Sequence, residues 1–293
     1  MKDLSSELTV YVITIGGITA ADCVSRLKNQ DCKFQLDTVE NYSPSAAAFQ
    51  EMINRCETPY YIQVDEDMLL RPDAVRRMYN GVIESGPKEA IIVYPLWDVH
   101  LDRWIFGVKI YKHEIMKNYP YINRVACEVD QITRMKKDGY TFKCIFDNRR
   151  YQCLGLHGTS FTPEMSYERY KGLVEKHRNH GLIPWIIPYY GIFYSRLKRR
   201  WDDVDAMALC GLLIGTITDN SVIVAGKDSR KYSKLHGLKG LISNLGAVRD
   251  SLYNKDVCGF VSDVFSISGL PYSNQHVMGA VVDIAQQKQD TED

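Results

Sequence analysis

Apolar positions in the first hundred residues fall into short runs that stop at glycine, proline or acid. Thr9 to Ile15 (TVYVITI) is continuous, β-branched and aromatic, and it ends at Gly16-Gly17. That is the form of a strand buried on both faces. Thr19 to Asn29 follows, with Val24 and Leu27 apolar and Lys and Arg on the other side, which predicts a helix. Lys33 to Glu40 fits a second strand. Ser43-Pro44-Ser45 then opens a helix over Ala46 to Cys56, with Ser43 as N-cap and Pro44 at the first helical position. Tyr60 to Val64 (YYIQV) is a third strand that ends on Asp65-Glu66-Asp67. Pro72 to Glu84 reads as a helix and Ala90 to Tyr94 as a strand. This alternation predicts an α/β fold with a parallel sheet covered on both faces.

Beyond Pro95 the pattern changes. Trp97 to Tyr111 is aromatic and polar without sustained periodicity. Gln131 to Lys137 predicts a short helix closed by Gly139. Tyr140 to Phe146 and Tyr151 to Leu156 predict strands, the second running into Gly155-Leu156-His157-Gly158. From about Pro163 helical signals dominate, over Tyr167 to His177, Asp203 to Thr216 and Asn274 to Gln287. The middle one is apolar on most faces and predicts a buried helix. A soft boundary near Gly181 divides the chain into residues 1–180 and a mainly helical 181–293.

Composition narrows the functions available. With 293 residues, 45% hydrophobic and 25% charged, the chain is neither disordered nor fibrous. Lys plus Arg (36) balances Asp plus Glu (36), which argues against a globally basic nucleic-acid binder. Phosphates, if handled, must be met by local groups or a metal. MKDLSSELTV has no signal-peptide pattern, and the apolar stretches Ile183 to Phe193 and Ala206 to Thr218 are too short to span a bilayer. The eight cysteines are scattered, without a C-x-x-C pair, as expected of thiols in a reducing, cytoplasmic setting.

In an open α/β sheet, ligands collect at the carboxyl ends of the strands. Asp65, Glu66 and Asp67 occupy such an end. On an extended backbone Asp65 and Asp67 face one way and Glu66 the other, and two carboxylates on one side suit Mn²⁺ or Mg²⁺ bridging a diphosphate. Acidic residues that merely start a turn before Met68-Leu69 are the structural alternative.

These residues resemble something known. VITIGG, then ENYSPSAAAFQEMINRCETPYYIQVDEDMLLRPDAV, is similar to the nucleotide-sugar half of a glycosyltransferase of the GT-A fold, most like family 2. Glu128-Val129-Asp130-Gln131-Ile132-Thr133-Arg134 with Gly139-Tyr140 is similar to the segment that carries that family's catalytic base. The resemblance covers roughly residues 9 to 160. It implies a Rossmann-like, mostly parallel sheet flanked by helices, with a helical C-terminal region. The connection between the first strands is short, and Glu128-Val129-Asp130 stands where an adjacent Glu-Asp pair is usual, so the identity of the base stays open.

An inverting transfer needs one carboxylate to take the acceptor hydroxyl's proton and no carboxylate nucleophile. Asp130 is the leading candidate for that base and Glu128 the fallback, the structural alternative for Asp130 being a helix cap. By resemblance, Asp67 and Asp65 would hold the metal with His157 completing its shell. Thr14, Asp37, Glu40, Asp65 and Glu66 would contact the nucleotide-sugar. Trp97, His100 and Trp104 fall where an acceptor would lie, although Trp is equally a core residue. Tyr189 to Trp201 mixes aromatics with Arg196, Lys198, Arg199 and Arg200, a composition compatible with peripheral membrane contact near a lipid-linked acceptor or with an ordinary helix. Gly226-Lys227 lacks the remainder of a P-loop.

The function implied is a metal-dependent, inverting glycosyltransferase acting on a nucleoside-diphosphate sugar and a hydroxyl acceptor, a glycan or a lipid-linked glycan. The alternatives are a sugar nucleotidyltransferase, disfavoured because GGITAADC offers no cation for a triphosphate, and a non-catalytic nucleotide-sugar-binding module.

Overall fold

The computed structural model describes residues 1–217 except 125, 146–151 and 180–182. The helix expected over Asn274 to Gln287, the Gly226-Lys227 pair and the boundary near Gly181 lie outside the described residues. Two compact units emerge, the first running from Met1 to Ser160.

In the first unit the elements are β1 (Lys2–Asp3), β2 (Leu8–Thr14), α1 (Ala20–Lys28), β3 (Cys32–Lys33), β4 (Gln35–Glu40), α2 (Ser45–Arg55), β5 (Tyr60–Asp65) and β6 (Met68–Leu70). They continue with α3 (Ala74–Ile83), β7 (Glu89–Asp98), β8 (Arg103–Lys112), α4 (His113–Met116), α5 (Cys127–Lys137), β9 (Thr141–Cys144) and β10 (Gly155–His157). The main sheet runs β4-β2-β5-β8-β7-β10-β6, with β9 also beside β7. β2 is parallel to β4 and β5, and β7 is parallel to β9 and β10. Between these parallel groups lies β8, antiparallel to both β5 and β7. The fold is the expected α/β class in a Rossmann-like arrangement, and the sheet is mixed.

Two apolar layers hold it. On one face Val10, Val12, Ile62, Val64, Val108 and Ile110 meet Cys23 and Leu27 of α1 and Val75, Met78 and Val82 of α3. On the other face Tyr11, Tyr61 and Tyr111 meet Phe49, Met52 and Ile53 of α2 and Cys127 and Met135 of α5. Strands covered on both faces carry continuous apolar runs, which is why β2 and β5 stand out in the sequence.

β8 does not stand out, and its geometry says why. The β7–β8 register slips by one residue between Val93↔Lys109 and Pro95↔Phe106. Ile105, Val108 and Ile110 therefore pack on one layer and Phe106 and Tyr111 on the other. An extra residue in one strand shifts the alternation phase, so no single period spans Trp97 to Tyr111. The slip also accommodates Pro95 inside β7.

After the turn at Glu66-Asp67, Met68–Leu70 forms strand β6, antiparallel to β10, an element the residue pattern does not mark. One local expectation is corrected. The second helix starts at Ser45 after Pro44, without a side-chain cap from Ser43.

β10 sits unusually close to β6. A Cβ on Gly155 would lie 2.5 Å from the Leu69 carbonyl oxygen and 2.8 Å from Leu70 Cα. Both contacts are backbone and neither can swing aside. Gly155→Ala is expected to destabilise the protein by about 1–3 kcal/mol, read as a lower midpoint in urea denaturation; an unchanged midpoint would contradict the close approach.

The second unit contains α6 (Pro163–Asn179), a 3₁₀ turn (Ile183–Ile186), α7 (Ile187–Arg199) and α8 (Asp203–Ile217). Gly211 and Gly215 of α8 let its backbone meet α6, since a Cβ on Gly211 would lie 2.3 Å from the Tyr167 carbonyl oxygen. Ala206, Met207, Leu209 and Leu212 of α8 are buried, as expected. In α7, Tyr190, Phe193, Tyr194 and Leu197 are buried as well, and Arg196 lies 3.5 Å from Asp205. An interfacial helix needs an outward apolar face, whereas these aromatics are core of the helical unit. Among the described residues no helix is long and apolar enough to cross a membrane.

Candidate active site

Near the carboxyl ends of β5 and β7, four of the twelve candidate side chains form two neighbouring groups, Asp67 with His157 and Asp65 with Glu128. The first is built by the β6–β10–β7 pairings. β10 runs parallel to β7 with His157 opposite Asp98, and antiparallel to β6 with His157 opposite Met68. His157 Nδ1 lies 2.9 Å from Asp98 Oδ2, and its Nε2 lies 3.3 Å from Asp67 Oδ2. Asp98 is wholly buried and its Oδ1 accepts the Leu101 N–H at 2.7 Å.

Asp65 belongs to the second group. Extended backbone ends at Asp65, and Glu66-Asp67 forms the turn into β6, so strand alternation no longer ties Asp67 to the side of Asp65. Asp65 follows Tyr61 and Gln63 onto the α2/α5 side of the sheet. There the Tyr111 hydroxyl donates to Gln63 Oε1 at 2.9 Å, and Gln63 Nε2 donates to Asp65 Oδ1 at 3.1 Å. Lys109 Nζ donates to Glu128 Oε1 in an ion pair. Burial opposes the charge on Lys109, but Glu128 and then Asp65 outweigh it and hold the ammonium above its ordinary value. Burial, followed by the charge of Asp67, pushes the Asp65 carboxyl up. The acidic turn is felt by its neighbours too: burial first, then Asp67, Asp65 and Glu66, raise the Cys23 thiol to about 12.

Asp130 goes elsewhere. α5 starts after Ala126, which adopts a left-handed conformation, so Asp130 lies within the first turn and is not its cap. Residues two apart on a helix point about 200° apart. Glu128 therefore faces Lys109, while Asp130 Oδ1 takes Arg124 at 2.9 Å and Oδ2 takes Arg134 at 3.0 Å.

Glu66 turns back over the first loop. It accepts hydrogen bonds from the Thr14 hydroxyl and, at 2.8 Å, from the Gly17 N–H. A Cβ on Gly17 would lie 2.5 Å from Glu66 Oε1, so glycine is what permits this clasp. Beside it, between α1 and the β4 edge, is a cleft of about 840 Å³ lined by Thr14, Gly16, Lys28, Thr38 and Glu40 among others. Asp37 is outside that cleft, on the opposite face of β4, with Arg55 3.6 Å away.

Of the aromatic candidates, Trp97 is 6% exposed and is core. Trp104 is half-buried, pairs with Trp97 across β7–β8, and stands edge-on to Phe106. His100, half-buried, sits in the turn joining the two strands.

Three contributors escape the sequence reading. Asp98 ends the apolar run IIVYPLW just as Asp65 ends YYIQV, and that parallel is the signal that could have found it. Lys109 and Gln63 carry no such signal, because their roles depend on cross-strand register.

No group of three His, Cys, Asp or Glu side chains among the described residues is gathered to hold a metal. Asp67 and His157 nevertheless fit two places in a shell. Adjacent ligands on an octahedral ion with bonds of about 2.1 Å stand about 3 Å apart, close to the 3.3 Å between Oδ2 and Nε2. His157 stands between two carboxylates, Asp98 at Nδ1 and Asp67 at Nε2, and a cation held by Nε2 and Asp67 would satisfy the second contact.

No family model matches the chain, and no curated protein matches it. Several solved structures are similar. Mannosyltransferase PcManGT from Pyrobaculum calidifontis, in complex with GDP-Man and Mn²⁺, is 10% identical over 95% of this chain and 86% of that one, with a TM-score of 0.46. S. aureus TarS 1–349 in complex with UDP is 11% identical over 91% and 93%, with a TM-score of 0.40. CMP:2-keto-3-deoxy-manno-octonic acid synthetase complexed with CTP is 9% identical over 48% and 89%, with a TM-score of 0.34. Likenesses this distant carry no residue-level correspondence, so the chemistry must come from the site itself.

Proposed function

We propose that the protein is a metal-dependent glycosyltransferase that moves a sugar, with inversion, from a nucleoside-diphosphate sugar to a hydroxyl of a glycan or lipid-linked glycan. The observation that carries this reading is the placement of two chemically distinct groups side by side at the carboxyl ends of the strands. One is the Asp67–His157 donor pair and the other is the Glu128–Lys109 ion pair beside Asp65. A transfer between a diphosphate-activated sugar and an alcohol needs both charge neutralisation at the leaving group and a base at the acceptor.

Asp67 and His157 would hold Mn²⁺ or Mg²⁺, with the diphosphate and water filling the other positions. The bound ion supplies Lewis-acid neutralisation of the departing diphosphate. Thr14 and Glu40, at adjacent ends of β2 and β4, line the cleft in which base and ribose would lie. Glu66 then acts by holding the Gly16-Gly17 loop rather than by touching the sugar.

Glu128 is the better base on geometry. Ion pairing with Lys109 stabilises a carboxylate, the form in which a base must start. Asp130, the leading choice from sequence, has both oxygens on guanidinium groups on the other side of α5. His100 and Trp104, in and beside the β7–β8 turn, are the acceptor-facing candidates. Trp97 supports them from the core. The nucleotidyltransferase alternative lacks a cation in the loop after β2, residues 15–19. We place the activity in a reducing, cytoplasmic setting.

The direct test is calorimetry with UDP and GDP, with and without Mn²⁺. One diphosphate should bind at least tenfold more tightly with Mn²⁺, equivalent to about 1.4 kcal/mol. Binding of neither diphosphate under either condition would overturn the proposal, and metal-independent binding would remove its metal.

A further inference from the structure

We propose that Asp98 is a positioning residue that selects which nitrogen of His157 is offered to the metal. The inference rests on reading Asp67 and His157 as metal donors. Asp98 is wholly buried at the end of β7, and the parallel pairing of β7 with β10 sets it directly opposite His157. Its two oxygens have different work. Oδ1 accepts the Leu101 N–H at 2.7 Å, which ties the turn after β7. Oδ2 faces His157 Nδ1 at 2.9 Å.

A carboxylate oxygen only accepts hydrogen bonds, so Nδ1 is the nitrogen that carries hydrogen. Nε2 is then the nitrogen turned toward Asp67, and its lone pair would be the one offered to an ion bound between them. Imidazole ligands are commonly oriented this way, by a carboxylate on the far nitrogen that fixes the tautomer and raises the ligand's basicity. Nothing in the D-x-D motif or in the α5 segment supplies that function.

The two contacts together make a sharp test of Asp98→Asn. If the amide oxygen keeps the Leu101 N–H, the amide nitrogen faces Nδ1 and, being a donor, demands hydrogen on Nε2 instead. If the amide flips, donor meets donor at Leu101. No orientation preserves both contacts, although the substitution changes shape very little.

The experiment uses the full chain and Mn²⁺ alone as probe. Mn²⁺ affinity is measured by electron paramagnetic resonance for wild type, Asp98→Asn and His157→Gln. The ¹⁵N signals of the His157 imidazole are recorded at pH 8 in the metal-free protein and assigned by their loss in His157→Gln. Wild type is expected to show hydrogen on Nδ1, and Asp98→Asn to bind Mn²⁺ about 10- to 100-fold more weakly with hydrogen moved to Nε2. Unchanged Mn²⁺ affinity in Asp98→Asn, alongside its loss in His157→Gln, would overturn the role of Asp98 while leaving the metal site standing. Hydrogen on Nε2 with none on Nδ1 in the wild-type spectrum overturns the role too, even if the Asn variant does not fold. Absence of Mn²⁺ binding by wild type would overturn the metal reading and this inference with it.

Discussion

Glu128→Gln is expected to lower the turnover of sugar transfer by about 100- to 10,000-fold, the usual worth of a positioned general base, without loss of donor binding. Glutamine keeps the length and shape of the side chain and can still accept from Lys109, so the sheet-facing side of α5 should hold its packing around Cys127, Gln131 and Met135. What it cannot do is take a proton. Asp130→Asn is the matched control. Its carboxylate is 13% exposed but meets the largely exposed Arg124 and the part-exposed Arg134, so the substitution should cost about 1 kcal/mol of stability, and transfer should proceed at near wild-type turnover. Nucleotide release coupled to sugar transfer, together with calorimetric donor affinity, separates the pair. The reverse pattern, with Asp130 essential and Glu128 dispensable, would return the base to the residue favoured by sequence resemblance and remove the geometric argument.

Asp67→Asn should be nearly as damaging. Neutralising charge on a leaving diphosphate is worth several kcal/mol, on the order of 10²- to 10³-fold in rate. Asparagine removes the negative charge and can also turn its amide N–H toward His157 Nε2, now 3.3 Å from Oδ2, closing the gap that an ion would fill. Transfer should fall, and the residual activity should no longer respond to added Mn²⁺. Full activity with intact metal dependence would show that Asp67 is only a turn residue, the plainer reading of any acidic pair after a strand.

Much of the scaffold was legible in the residue pattern because the strands that matter most are covered on both faces. TVYVITI and YYIQV are continuous apolar runs for that reason, and each ends where the sheet ends. Acidic residues at such an end are readable as a site. What was not legible depends on phase. Whether Glu128 or Asp130 faces the sheet is decided by where α5 begins, and that is set by the left-handed backbone of Ala126, which no periodicity announces. Asp98 ends its strand as Asp65 does, but Pro95 made the strand look finished before reaching it. Lys109 meets Glu128 only because β8 runs antiparallel between β5 and β7, and a helix-strand alternation gives no hint of an antiparallel insertion. On an extended ribbon Asp65 and Asp67 would be neighbours on one side; a turn begins between them and sends each to a different partner.

The one-residue slip between β7 and β8 has a consequence for how the chain can change over evolutionary time. β8 is in effect written in two reading frames. Its first half, through Phe106, is addressed to the sheet in one frame, and its second half, from Val108, in the other. Substitutions can be absorbed position by position in either half. Loss of a single residue at Gly107 would merge the frames into one strict alternation, with Ile105, Val108 and Ile110 still on the α1/α3 layer and Phe106, Lys109 and Tyr111 still on the α2/α5 layer, so that the Glu128 contact and the Gln63 relay keep their side of the sheet. Homologous chains that share this site should therefore occur with and without the extra residue at 107, while the turn at residues 99–102 keeps its length wherever Asp98 is kept to accept the Leu101 N–H.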